Sequence, residues 1–188
     1  MKLLQSAALG AACLCLTACL NSGLPTLGDV PHFTLTNQDG QKYESTAALA
    51  NKVWVADFIF TTCHGPCPRM TAQMHKLQED TKDLSDVELV SFTVDPKTDT
   101  PEVLAAYAKQ FKADPERWTF LTGPADALNK LSFDTFRLGN VGDGKLEHST
   151  RFVLIDRKGR IRGYYDTTDA TALPQLVEDI GKVRKEVL

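Results

Sequence analysis

Val53-Trp54-Val55-Ala56-Asp57-Phe58-Ile59-Phe60-Thr61-Thr62-Cys63-His64-Gly65-Pro66-Cys67-Pro68 runs from an apolar stretch through a short turn into a helical pattern. The first eight residues read as a buried strand. Met70, Met74, Leu77 and Leu84 keep helical or near-helical spacing, so a helix is expected from Pro68 to Asp83, with Pro68 in its first turn. Cys63 and Cys67 therefore stand at a strand-to-helix turn with three residues between them. Two sulfurs so placed can close a disulfide, attack one, or hold a soft metal as thiolates.

Working outward, His32 to Thr36 and Gln41 to Tyr43 read as a hairpin turning at Asn37-Gln38-Asp39-Gly40. Val87 to Val94 is a second buried strand. Thr100 is a helix N-cap with Pro101 at the first helical position, the helix running to about Phe111. Trp118 to Leu121 is a short strand and Pro124 to about Asp134 a short helix. Arg151 to Asp156 and Arg160 to Tyr165 form a hairpin, and Thr171 to Val187 an amphipathic helix. This order predicts an α/β protein with a central mixed β-sheet flanked by helices. It is the element order of a thioredoxin-like fold with an N-terminal β-hairpin and an insertion. The cysteines fall at the carboxyl end of a central strand, where open α/β sheets place their sites.

The 188 residues are 43% hydrophobic and 24% charged with a formal net charge of -3, enough for one domain with a core and without the basic excess that nucleic acid requires. Lys2 followed by the apolar stretch Leu3 to Leu16 reads as a secretory signal, shorter than the ~20 residues of a membrane span. Leu16-Thr17-Ala18-Cys19 looks like a bacterial lipobox, so residues 1–18 are expected to be removed and Cys19 to carry lipid. Residues 19–30 then form a lipid-anchored tether and 31–188 the folded domain, on a membrane facing the periplasm or exterior. Cys63 and Cys67 become the only free sulfurs in a compartment that oxidises thiols, so they must be kept reduced or occupied by metal.

The start of a helix favours a thiolate at Cys67, which metal binding and disulfide exchange both need. A structural disulfide closes too short a loop to stabilise much. Zinc wants four protein ligands where one cysteine pair exists. A dithiol redox centre stays open. Copper(I) is soft and accepts few ligands, and a third ligand would favour it. His148 precedes the strand that this topology lays beside the cysteine turn, and is the candidate; His32 and His75 read as exposed or packed, and His64 lies between the cysteines.

The chain resembles the Sco/SenC family of copper chaperones for cytochrome c oxidase over about Pro31 to Leu188. The resemblance is carried by Phe60-Thr61-Thr62-Cys63 with Cys67-Pro68, by Val94-Asp95-Pro96-Lys97-Thr98-Asp99-Thr100-Pro101, by Trp118-Thr119-Phe120-Leu121-Thr122-Gly123 and by His148-Ser149. It implies a thioredoxin-like fold in which Cys63, Cys67 and His148 bind one copper ion, as Cu(I) or Cu(II). The job implied is delivery of copper to the binuclear copper site of oxidase subunit II, or reduction of that site's cysteines. An upstream copper donor or thiol reductant is a further expected partner. Asp95 and Asp99 match a family loop near the site and are candidates to support it. His64 stands where the family commonly has proline and could add a ligand. The glycine-rich stretch 139–144 also departs from the family's approach to the histidine.

The expected protein is a metallochaperone rather than an enzyme, with thiol–disulfide exchange the one reaction open to it. An envelope thiol–disulfide reductase and a copper or redox sensor are the alternatives. Catalytic Ser/His/Asp sets, phosphate loops and paired carboxylates do not stand out.

Overall fold

The structure is a computed structural model describing residues 22–138 and 149–186. All seven residues of the strand Val53–Ile59 are buried, because the strand lies mid-sheet with both faces covered. The strands in chain order are β1 (Gly28–Asp29), β2 (Thr34–Asn37), β3 (Lys42–Glu44), β4 (Val53–Ile59), β5 (Val87–Thr93), β6 (Trp118–Thr122), β7 (Arg151–Ile155) and β8 (Arg160–Asp166). They form one eight-stranded sheet in the order β1-β8-β7-β4-β5-β6-β2-β3. β4, β5 and β6 are parallel, and β7 pairs antiparallel with β4.

The helices are α1 (Ser45–Ala48), α2 (Cys67–Asp80), α3 (Pro101–Gln110), α4 (Ala125–Asn129) and α5 (Ala172–Arg184). Two successive crossovers in the same direction, β4-α2-β5 and β5-α3-β6, put α2 and α3 on one face of the sheet. The Tyr107 hydroxyl of α3 meets Thr71 Oγ1 of α2 at 2.9 Å there, and α5 packs beside α2. The other face is aromatic. Phe58 stacks on Phe92 at 4.9 Å and meets Phe136 edge-on at 5.5 Å, while Trp54 meets Phe136 at 6.1 Å. Burying one such ring contributes roughly 1.5–3 kcal/mol.

The expected hairpin is present, with Gly40 at φ 72 in its turn, a conformation that costs glycine nothing. Thr100 caps α3 by accepting a hydrogen bond from Val103 N–H at 3.4 Å. The helix expected from Pro124 to about Asp134 is split: α4 gives way at Lys130–Thr135 to a π-helical turn that delivers Phe136 to the aromatic face. β1 and α1 were not expected, being too short to show a period.

Residues 22–30, expected to belong to the tether, are laid against the body. β1 pairs with β8, and Leu27 N–H donates to Ile161 O at 2.8 Å. The buried Arg162 guanidinium donates to Ser22 Oγ at 3.0 Å, Leu24 O at 2.8 Å and Pro25 O at 3.0 Å. It also pairs with Asp156 at 3.0 Å and with Glu186 at 2.5 Å.

Candidate metal centre

Cys63 lies in the turn that leaves β4, where its N–H donates to Phe60 O at 3.3 Å. Its sulfur accepts a hydrogen bond from Gly65 N–H at 3.4 Å. Cys67 is the first residue of α2, with Pro68 behind it. Met70 N–H donates to Pro66 O at 2.9 Å, closing that first turn. Both cysteines are buried free thiols, and the Cys63 side chain is near enough to raise the Cys67 thiol.

The expectation that the helix start favours a Cys67 thiolate is corrected here. The position is as expected, but only 1% of Cys67 is exposed. Burial, then the hydrogen bond to Cys63, push the Cys67 thiol up to about 12; a backbone hydrogen bond from Phe60 pulls weakly the other way, and the charges of Cys63 and Asp57 add to the rise. Desolvation by burial is the largest of these influences. An ion entering the pair therefore displaces the Cys67 proton.

The DPxxDT run supplies the support. Asp99 is fully buried and its carboxylate joins three segments. It accepts from Thr61 Oγ1 at 2.5 Å, from Thr61 N–H at 3.2 Å and from Thr93 Oγ1 at 2.5 Å. Thr61 is two residues before Cys63 and Thr93 ends β5, so one carboxylate ties the cysteine turn to the neighbouring strand. Burial raises the Asp99 pKa, and the bonds from Thr61 and Thr93 oppose the rise. Asp95 is half-buried; its N–H donates to Thr93 Oγ1 at 2.9 Å and its carbonyl accepts from Asp99 N–H at 2.9 Å, so it shapes the loop through its backbone. His64 is exposed on the turn.

Two supports were missed in the sequence. Thr71 Oγ1 donates to Cys67 O at 2.9 Å, which leaves the Tyr107 hydroxyl as donor to Thr71, tying α3 to the first turn of α2. Asp57, in the middle of β4, is fully buried with neither carboxylate oxygen in a hydrogen bond. Ser91 lies across from it in register and favours its anion slightly, but the Ser91 oxygen accepts from Trp118 Nε1 at 2.9 Å. Burial pushes the Asp57 pKa up to about 7. A carboxylate inside an otherwise apolar strand was the visible signal.

His148 and Cys19 lie outside the described residues. Among the described residues no third His, Cys, Asp or Glu joins the two sulfurs in a metal-sized cluster. Ser149 and Thr150, which lead into β7, are at the cysteine end of the sheet: Thr150 O accepts from Thr167 N–H at 2.8 Å, and Thr167 O accepts from Gln73 Nε2 of α2 at 3.1 Å. His32 borders a cavity of about 220 Å³ with Trp54 and Lys158, at the other end. His75 lies on α2, 3.5 Å from Gln78 Nε2.

Two adjacent buried thiols, one in a turn and one opening a helix at the carboxyl end of a central strand, define a thioredoxin-like dithiol protein. The sequence model of the SCO1/SenC family matches residues 26–184. The chain is 33% identical over 187 residues to the SCO1 protein homolog of Bacillus subtilis (strain 168), covering 96% of each chain. This protein belongs to the SCO1/SenC family.

Solved structures agree. A SCO1/SenC family lipoprotein from Bacillus anthracis str. Ames superposes with TM-score 0.77 at 39% identity, covering 84% of this chain and 96% of that one. BsSco, a member of the Sco family of cytochrome c oxidase assembly proteins with a disulfide switch, gives 0.75 at 31%, covering 85% and 96%. Yeast Sco1 with copper bound gives 0.64 at 25%, covering 85% and 95%. The thioredoxin-like fold of these neighbours is the fold of this chain.

Proposed function

We propose that this chain is a membrane-tethered metallochaperone that binds one copper ion and serves the copper site of cytochrome c oxidase subunit II. The observation that carries the reading is the pair of buried free thiols at Cys63 and Cys67, one in the turn after β4 and one opening α2. The copper bound by the yeast relative and the oxidase-assembly role of the BsSco family support it. Adjacent thiols suit a soft ion of low coordination number. The chain so read has a signal of residues 1–18 and lipid at Cys19, and the part expected as a tether over residues 19–30 joins the folded body from Ser22 onward.

In this reading Cys63 and Cys67 give up their protons as copper is taken, and His148 supplies the third ligand. Asp99 and Asp95 hold the cysteine turn in place, and His64 stands at the rim where ligands exchange. Oxidation of the two thiols to a disulfide releases two protons and passes two electrons to an acceptor, leaving no thiolate for the ion. The redox state of the pair therefore gates loading.

Anaerobic copper titration of the reduced full chain, beside its disulfide form, tests this. One ion per reduced chain and none bound by the disulfide form is expected. Equal binding by both forms would remove the dithiol from the site.

The same pair of free thiols favours a second reading, a thiol–disulfide reductase for a client's cysteine pair, because two cysteines with three residues between them can close a disulfide. That reading predicts that Cys63→Ser abolishes exchange while His148→Ala leaves it intact.

A further inference from the structure

The described chain begins at Ser22, and Ser22 is held. Its N–H donates to Glu186 at 3.1 Å, its hydroxyl also bonds Glu186, and Arg162 donates to its oxygen at 3.0 Å. Arg162 is 3% exposed and grips Leu24 and Pro25 as well. Only three peptide units separate Ser22 from Cys19, a span of at most ~11 Å when fully extended. A lipid on Cys19 would thus tie the bilayer to one particular place on the domain.

That place is at the opposite end of the sheet from the cysteines. Glu186 follows the end of α5, where Arg184 pairs with Asp86 at 2.7 Å. Arg157, from the turn between β7 and β8, pairs with the same carboxylate at 2.6 Å. Asp86 O accepts from Val53 N–H at 3.0 Å, so these groups surround the first residue of β4. Cys63 lies beyond the last residue of that strand, which at ~3.3 Å per residue is ~20 Å away along the sheet.

The same end is basic. Arg157, Arg160, Arg162 and Arg184 meet the three carboxylates Asp86, Asp156 and Glu186. Exposed Lys158 and Lys185 adjoin them in the chain, and exposed Asp29 stands opposite Arg160 in register, so these six basic groups outnumber the four acidic ones. Excess positive charge beside a lipid attachment point is complementary to anionic headgroups.

We infer that the β7–β8 turn and the end of α5 form a membrane-apposed face, which seats on anionic lipid and points the cysteine end away from the bilayer. The inference rests on the reading of Cys19 as the lipidated residue. The arginine network replaces a loose leash with a fixed stand, so the metal-exchanging end is presented outward to the extramembrane part of a client.

Lysine reactivity on the full lipidated chain tests it. The chain is bound to phosphatidylglycerol–phosphatidylcholine vesicles and exposed to a water-soluble amine reagent. Lys158 and Lys185 are compared with exposed Lys97, in the loop after β5 at the cysteine end. The reference is a chain with a Gly/Ser spacer of about 20 residues inserted between Asn21 and Ser22, whose mean reach is ~25 Å. Lys158 and Lys185 are expected to react several-fold more slowly than in the spacer variant, with Lys97 unchanged. Equal reactivity in both chains overturns the proposal. So does protection seen in native membranes but not on vesicles, which would assign the face to a protein. Intact mass separates the two readings: a membrane-bound chain without diacylglyceryl at Cys19 removes the lipid reading and this one together, whereas a lipidated chain with freely reactive Lys158 removes the orientation alone.

Discussion

Asp99 accepts a hydrogen bond from the Thr61 hydroxyl at 2.5 Å, across 38 positions of sequence, and so fixes the backbone from which the Cys63 turn departs. Thr93 binds the same carboxylate at 2.5 Å, so β5 and the cysteine turn share one buried acceptor. Removing it leaves donors unpaired in the interior, each costing ~1–3 kcal/mol. Asp99→Ala is expected to lose about 3 kcal/mol of stability in urea unfolding and, by loosening the turn, to weaken copper binding about 10- to 100-fold. Asp99→Asn, which keeps acceptor capacity, should recover much of both. Unchanged copper affinity in the alanine variant would confine Asp99 to stability.

Asp57 makes a pH prediction of definite sign. Burial raises its pKa from 3.8 to about 7, so the folded state holds a proton that the unfolded chain releases. Its contribution is most favourable below pH 3.8 and is lost as pH rises toward 7, the reverse of an ion-paired aspartate. A tenfold change in proton affinity is worth about 1.4 kcal/mol, so the loss amounts to about 4 kcal/mol. Asp57→Asn should flatten this slope in urea unfolding between about pH 4 and 8, whatever its offset from its own buried amide. A slope equal to that of the parent would show that Asp57 does not ionise in this range.

Copper affinity should climb with pH. Cys67 holds its proton until about pH 12 in the metal-free protein, so binding must displace it throughout the ordinary range. That thiol alone makes affinity rise about tenfold per pH unit. Competition titrations with a copper chelator at several pH values check this. His148→Ala at fixed pH should lower affinity at least about tenfold if the imidazole is a ligand; full retention would exclude it.

The N-terminal segment should answer to Arg162. Arg162→Met leaves Asp156 and Glu186 without their buried partner, a change of about 3 kcal/mol or more. It should also speed amide exchange at Leu27 and Val30, whose N–H groups donate to Ile161 and Gly159 at 2.8 Å. In the parent, Arg162 holds the Glu186 carboxyl down from 4.5 to about 2, so the pair stabilises above the ordinary glutamate range and fails as pH falls toward 2. The variant should lose that acid-limb transition. Unaltered exchange at Leu27 would show that Arg162 is not what holds residues 22–30.

Much of the frame was legible locally. The apolar run from Val53, the Thr100-Pro101 cap and the spacing of Met70 and Met74 each carry their own periodicity or capping chemistry, and each became the element expected. The π-turn at Lys130–Thr135 did not announce itself, because it exists to seat Phe136 among rings donated by β4 and β5. β1 was equally invisible: its two residues are held by pairing with β8, more than 130 positions away. At the candidate site, Cys63 and Cys67 were evident from spacing, whereas Asp99 and Asp95 stood out only through the resemblance of their loop to that of the Sco/SenC family.

By itself, then, the amino-acid order determined the alternation of strands and helices, the strand-to-helix turn that carries both sulfurs, and the soft-metal or redox chemistry open to them. Only the three-dimensional packing decided that Cys67 would be buried and its thiol pushed up. It likewise decided that Asp99 would reach Thr61, and that Arg162 would seize residues 22–25. The division has one cause: periodicity and capping act between near neighbours in the chain, whereas desolvation and buried charge pairing depend on which distant segments close over a group.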